Sequence, residues 1–290
     1  MAIILYMKLH RPQSTLCLSR YIFQLWLALP LVSCLLLPVS AAQEHHNLST
    51  LKVSISAFNF PPMAHNTIDG GISGRAIETV RALCIASQME CSIRFFPTPR
   101  AHESIIEGTQ DVLLSVNLPL FEQCCTFAGW RYPVRIGLIA ERSIADIPAT
   151  ETELVGGSMV VIRGWDVLYN VFPNINTLID RGDLNIEWSN STVGAIKMYD
   201  AGRAPLLFGS DTFDWYYNHL SLVKKTRNFR PLLTIPSGIL ISKESKHHDE
   251  ILRRFNLAYK QFKDQGNFDK DNFLNPSLMN EVYQEPPRQD

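Results

Sequence analysis

The stretch Leu51-Lys52-Val53-Ser54-Ile55-Ser56-Ala57-Phe58-Asn59-Phe60-Pro61-Pro62 decides how the rest of the chain is read. Leu51, Val53, Ile55 and Ala57 alternate with polar residues, so the segment predicts a strand with one buried face, and Pro61-Pro62 stops it. A loop with Asp69-Gly70-Gly71 follows. From Arg75 to Ser87 the apolar positions Ile77, Val80, Leu83 and Cys84 recur at helical spacing, which predicts a helix with one core-facing stripe. Ile93 to Phe96 predicts a second strand, His102 to Glu107 a helix closed by Gly108, and Asp111 to Val116 a third strand. Strand alternating with helix is the pattern of an α/β layer built on a parallel sheet.

The same grammar restarts in the middle of the chain. Ser158 to Ile162 predicts a strand running into Arg163-Gly164-Trp165-Asp166, Leu184 to Trp188 another, Val193 to Ala201 a helix capped by Gly202, and Ala204 to Phe208 a third strand. Two similar α/β units are therefore expected. Beyond them, Gly238 to Ser242 predicts a strand. Asp249 to Lys263 predicts a helix with Ile251, Leu252, Phe255, Ala258, Tyr259 and Phe262 on one face, ending near Gly266. The tail from Gln284 is polar and proline-rich and is expected to be loose.

Composition narrows the function. The 290 residues carry 27 Lys+Arg against 28 Asp+Glu, with 46% hydrophobic and 19% charged residues. That balance excludes a collagen-like repeat, charge-rich disorder and the basic stripe that neutralises nucleic-acid phosphate. The first 42 residues carry Lys8, Arg11 and Arg20 but no acid, then an apolar run from Tyr21 to Val39 and the small residues Val39-Ser40-Ala41-Ala42. This is the three-part pattern of a secretory signal, cleaved after Ala41 or Ala42, and it predicts export. Two rivals are an uncleaved membrane anchor, against which Pro30 and Pro38 argue, and a lipobox at Leu31-Val32-Ser33-Cys34, against which the apolar Leu35 to Val39 argues. Cleavage leaves Cys84, Cys91, Cys124 and Cys125, which in an oxidising compartment allow three pairings; the short Cys84 to Cys91 loop is the easiest to close. Adjacent Cys124-Cys125 lacks the two-residue gap of metal ligands and no His-x-x-x-His follows, so no metal is expected. No cofactor motif is present.

In order and spacing the motifs resemble those of the bacterial periplasmic solute-binding proteins, family 3, which serve amino-acid ABC importers. The resemblance is carried by Leu51 to Ala57 with Phe60-Pro61-Pro62, by Gly70-Gly71-Ile72-Ser73-Gly74 before a helix, and by Ile106-Glu107-Gly108-Thr109-Gln110-Asp111. It continues through Phe121-Glu122, Phe127, Gly156, Arg163-Gly164, Ala201-Gly202-Arg203, Ser210-Asp211 and Ile241-Ser242-Lys243, covering nearly all of residues 51 to 275. It implies a two-lobed, Venus-flytrap α/β fold (type II) with the ligand in a cleft between lobes joined by two crossing strands. Lobe 1 would be 43–132 with 239–290, and lobe 2 would be 136–234. Hinges would fall near Tyr132-Pro133-Val134-Arg135 and Ile235-Pro236-Ser237. It further implies a monomer in the periplasm, with an inner-membrane permease or a sensor protein as partner and no nucleic acid.

The resemblance also nominates a cleft. Where relatives place the arginine that clamps a ligand carboxylate, this chain has Gln123, and Leu118 stands where they often use a small hydroxyl residue; Asn117 or Ser115 would supply polar contacts instead. Asp211 matches the acid that receives a ligand ammonium, with Ser210 beside it, and the alternative is that Asp211 caps a helix from Thr212 to His219. Arg163-Gly164-Trp165 falls on the turn whose amides receive an anion. Phe60 matches a stacking residue, and Arg100 matches an arginine of some relatives. The leading expectation is a non-enzymatic binding protein for a small polar metabolite, an amino acid or related compound. A periplasmic dehydratase or lyase on the same fold and a degenerate protein-interaction module are the alternatives. No Gly-x-Ser-x-Gly elbow, His-Glu-x-x-His helix or Walker loop is present.

Overall fold

Two groups of three parallel strands flank a pair of long antiparallel strands, and all eight form one sheet. In this computed structural model the described residues are 50–67, 69–219 and 227–275. The leader, residues 1–42, and the tail from Gln284 lie outside them. All described residues belong to one unit that begins at Leu48.

The first group grows from the opening stretch. β1 (Leu51–Ala57) pairs in parallel with β4 (Met89–Phe95) and β5 (Val112–Val116), after the two-residue strands β2 (His65–Asn66) and β3 (Ile72–Ser73) have formed a small ribbon. α1 (Arg75–Ala86) buries Ile77, Val80, Leu83 and Cys84, the stripe that the spacing predicts. Its last turn is tied to β4 by a disulfide between Cys84 and Cys91, whereas Cys124 and Cys125 are free thiols. α2 (Thr98–Ile106) begins a turn earlier than the sequence suggests, because Pro99 sits in the first turn, where a missing N–H costs nothing.

The second group repeats this arrangement. β7 (Gly157–Ile162) pairs in parallel with β8 (Leu184–Ser189) and β9 (Leu206–Ser210). The connections hold α3 (Glu151–Leu154) before β7, α4 (Val167–Val171) and α5 (Ile175–Asp180) between β7 and β8, and α6 (Thr192–Asp200) between β8 and β9. Ser191 caps α6 by accepting the Gly194 N–H at 3.0 Å. A 3-10 turn at Asp211–Phe213 and α7 (Asp214–His219) follow β9, and Ser210 rather than Asp211 caps that turn.

β6 (Cys125–Ala140) and β10 (Asn228–Ser242) bridge the two groups. At about 3.3 Å per residue each runs roughly 50 Å, long enough to enter both. β10 pairs with β5 near its end, and β6 pairs with β9 near its own end. At the crossing, Tyr132 faces Ser237, Pro133 faces Pro236 and Val134 faces Ile235. The Pro133–Pro236 rung has no N–H on either strand, so the ladder is thinnest there. Gly137 is required by close approach: a Cβ there would lie 1.9 Å from the Arg230 carbonyl oxygen.

α8 (His248–Asp264) buries Ile251, Phe255 and Ala258 and packs on β6, β10 and α1. Residues 266–275 are pinned to the same side. The Trp130 indole N–H donates to the Asn272 carbonyl at 2.7 Å, Phe273 packs on Tyr132 with ring centres 4.6 Å apart, and Arg75 pairs with Asp269. Trp130, Phe255 and Phe273 are fully buried, and each stabilises the fold by about 1.5–3 kcal/mol through its removal from water.

Candidate functional site

The carboxyl ends of β1, β5 and β7 point to one place, where an open α/β sheet holds its ligands. A cavity of ≈ 60 Å³ lies there. Ala57 and Phe58 at the end of β1, with Phe60 and Met63 in the loop beyond, form one wall; Leu114, Ser115, Val116 and Leu118 form the next. The long strands supply the floor, Tyr132, Val134 and Ile136 from β6 and Ser237 from β10. Gly164, Trp165, Asp166 and Val167, after β7, close the opposite side, and α2 contributes Thr98 and His102 from one helix face, four residues apart.

The two sides touch. The rings of Phe60 and Trp165 are 5.9 Å apart and tilted, and Trp165 rests in turn on Phe213 at 5.4 Å. Gly164, at φ +78°, lies so close to Pro99 that a Cβ would come within 2.7 Å of the proline Cγ. His102 Nδ1 approaches Asp166 Oδ2 to 3.4 Å, but the N–H direction misses the oxygen, so neither ring nitrogen has a hydrogen-bond partner. The imidazole is buried and held by edge contacts to Phe58 and Phe121. The buried Ser115 hydroxyl also lacks a partner. Tyr132 hydrogen-bonds Ser237, yet burial pushes its phenol up to about 12, so it stays neutral across physiological pH.

The site residues nominated from sequence fall into two sets. Phe60, Gly164 and Trp165 stand in the cavity wall. So does Ser115, offered from sequence as the alternative to Asn117, and the others lie outside it. Arg100 is exposed on α2, and Asn117 is exposed, with its N–H donated to the Pro236 carbonyl at 2.9 Å. Gln123 is exposed, and its carbonyl accepts from the Lys243 ammonium at 2.9 Å. Arg163 is exposed and lies over the Trp188 ring at 5.7 Å. Ser210 is fully buried and accepts the Thr212 N–H, and Asp211 is ion-paired with Arg135 while accepting from the Ser210 hydroxyl at 3.1 Å. His102, Asp166, Tyr132 and Ser237 are wall residues that the sequence reading did not nominate. No local signal marks His102, because the helix is expected to begin there, whereas α2 begins at Thr98 and brings Thr98 and His102 onto one face. Among the described residues, no cluster of His, Cys, Asp and Glu could hold a metal ion.

No protein-family model matches the chain, and no curated protein matches it. Solved structures do. A histidine kinase sensor domain with similarity to periplasmic binding proteins aligns with TM-score 0.60 at 18% identity, over 75% of this chain and 92% of that one. An ABC uptake transporter substrate-binding protein from Streptococcus pneumoniae with bound histidine gives 0.62 at 14%, over 81% and 93%. An ancestral arginine-binding protein bound to arginine gives 0.61 at 13%, over 80% and 96%. The chain has the periplasmic-binding-protein fold. No helix among the described residues is long and apolar enough to cross a membrane.

Proposed function

We propose that the protein is a non-catalytic solute-binding protein of the cell envelope, which shuts around a small polar metabolite and presents it to a membrane partner. The observation that carries this reading is the cavity itself, walled by both strand groups, with Phe60 meeting Trp165 and Pro99 meeting Gly164 across it. A ligand held there would touch both groups at once and so favour the shut form over an open one. The lobes would be 43–132 with 239–290, and 136–234. Bending would occur near 132–135 and 235–237, where the proline rung leaves the ladder weakest. The leader would send the chain to the periplasm, where it acts as a monomer. An ABC-type permease fits the likeness to the substrate-binding proteins, and a sensor partner fits the likeness to the kinase sensor domain. Phe60, Gly164 and Trp165 would contact the ligand directly.

The test is native mass spectrometry of the exported protein joined to small-angle scattering during a thermal-shift screen of amino acids, keto acids, polyamines and small peptides. A ligand that binds one to one, raises the melting temperature, lowers the radius of gyration and is recovered unchanged supports the reading. Turnover of the ligand would overturn it in favour of an enzyme. Absence of both binding and compaction would overturn it in favour of a protein-interaction module.

A further inference from the structure

The described residues that wall the cavity include no lysine and no arginine. The arginines beside wall residues in sequence are engaged or exposed: Arg135 pairs with Asp211, Arg163 lies over Trp188, and Arg100 is exposed on α2. The carboxylate in the wall is Asp166, whose side chain is 40% exposed. A ligand carboxylate placed here would lose its hydration without gaining a cation, and would face Asp166 as a like charge. An ammonium meets the opposite situation. Asp166 supplies the countercharge, and the Phe60 and Trp165 rings supply faces that attract a cation. Ser115 and His102 are 2% and 6% exposed, and neither has a hydrogen-bond partner. A serine hydroxyl and an imidazole nitrogen can each accept a hydrogen bond, so with Asp166 the wall offers as many acceptors as a primary ammonium has donors. The remaining wall is apolar, with Leu118, Val134 and Ile136 among its members, and suits a short hydrocarbon body.

Size restricts the ligand further. A cavity of ≈ 60 Å³ exceeds the roughly 10–15 Å³ that one water needs and falls well below the roughly 300–1,000 Å³ of pockets for drug-sized ligands, so the ligand is small. We propose that the ligand of this cleft is a small primary amine without a carboxylate, its ammonium held by Asp166, His102 and Ser115. This rests on the solute-binding reading above and names the ligand class for the same site.

The test uses three matched compounds and isothermal titration calorimetry on the mature protein: n-butylamine, norvaline (the same amine carrying an α-carboxylate) and pentanoate (the carboxylate without the amine). The expected result is that n-butylamine binds and the other two bind at least tenfold more weakly. Asp166→Asn should weaken n-butylamine roughly ten- to a hundredfold, the range for losing a charged hydrogen-bond partner, with no loss of melting temperature. Ser115→Ala provides a second variant that removes an acceptor without touching charge, and it should weaken the amine several-fold. Norvaline or pentanoate binding as well as n-butylamine would overturn the assignment of ligand class and leave the solute-binding reading standing. Failure of all three to bind would also overturn it. Whether the solute-binding reading then survives is read separately, from compaction by, or co-purification of, a ligand of another class.

Discussion

Gly164→Ala separates the two demands the structure places on one residue. The first is conformational: φ is +78°, where a side chain with a Cβ costs roughly 1–2 kcal/mol. That cost is local to the turn after β7 and is the same whether the cleft is open or shut. It should lower the melting temperature by about 2–8 °C, at 2–4 °C per kcal/mol for a domain of this size. The second demand would exist only in the shut form of the proposed cleft. The new Cβ would lie 2.7 Å from Pro99 Cγ, 2.9 Å from Cδ and 3.2 Å from the backbone nitrogen, and a proline ring cannot swing aside. Overpacking of this kind costs about 1–3 kcal/mol, which should raise the dissociation constant roughly 5- to 150-fold. Titration of a cleft ligand followed by Trp165 fluorescence reads the second effect, and thermal unfolding without ligand reads the first. Adding Pro99→Ala removes the obstructing ring, so the double variant should recover affinity while keeping the lowered melting temperature. Unchanged affinity in Gly164→Ala with a lowered melting temperature would refute the reasoning, because the ligand-bound form would then not contain the Gly164–Pro99 contact.

Opening the Cys84–Cys91 bridge by replacing both residues with alanine should cost about 2.5 kcal/mol, the chain-entropy value for so short a loop, and calorimetry should show the melting temperature falling by roughly 5–10 °C. Burial pushes the Asp111 carboxyl up, but hydrogen bonds from Ser245 Oγ (2.6 Å), Ser54 N (2.9 Å) and Ser54 Oγ (2.7 Å), with the charge of His247, outweigh it, so its net pKa is lowered. The stability Asp111 contributes is therefore complete above the ordinary carboxylate value of about 4 and is lost as pH falls through its lower folded value. Asp111→Asn should cost about 1–3 kcal/mol at neutral pH, discounted for partial solvation, and should flatten the acid limb of a denaturant-midpoint profile; an unchanged limb would show that other carboxylates dominate. Trp130→Phe removes the buried donor to the Asn272 carbonyl and should cost about 1–3 kcal/mol, with protection of the 266–275 amides lost first in hydrogen exchange.

The local elements were legible in the sequence, and the long-range ones were not. Alternation over Leu51 to Ala57 and the stripes of α1 and α8 gave strand and helices within a turn of their true ends, because each buries a face that its own spacing defines. The central strands escaped the same rules. β6 contains Gly129, Pro133 and Gly137, and β10 contains Pro231 and Pro236, residues that ordinarily argue against a strand interior. They are tolerated here because the proline rung and the glycine approach to Arg230 are properties of the pair, invisible in either strand alone. Alternating strand and helix predicted a parallel sheet, and each outer group is parallel, but the antiparallel pair between them makes the whole sheet mixed. The cleft divides in the same way. Phe60, Gly164 and Trp165 follow strand ends and could be found from position. His102 could not, since Pro97 and Pro99 made the first turn of α2 look like loop. The Asp211 carboxylate is taken by Arg135 on the neighbouring strand β6, which is distant in sequence, a pairing that no local pattern announces.

Why such a cleft would stay open without a ligand follows from the same unpartnered groups. His102 and Ser115 are buried with no hydrogen-bond partner, and if the proposed cleft is shut in this structure each such group costs that form about 1–3 kcal/mol. Against this, the empty shut form gains the Phe60–Trp165 ring contact, worth about 0.5–1.5 kcal/mol beyond its buried area, and the misaligned approach of His102 to Asp166. A ligand that satisfies both polar groups would remove roughly 2–6 kcal/mol from the shut form and nothing from an open one, where water already serves them. Moving a two-state equilibrium from 1:99 to 99:1 needs about 5.5 kcal/mol, so the two groups together supply from about a third to the whole of the requirement. On this account His102 and Ser115 act chiefly on closure, and removing their polarity should stabilise the empty shut form. His102→Phe, which keeps the ring and its edge contacts to Phe58 and Phe121, should therefore lower the radius of gyration without ligand while weakening ligand binding. A variant that stayed as open as the parent would mean that the unpartnered imidazole does not set the balance.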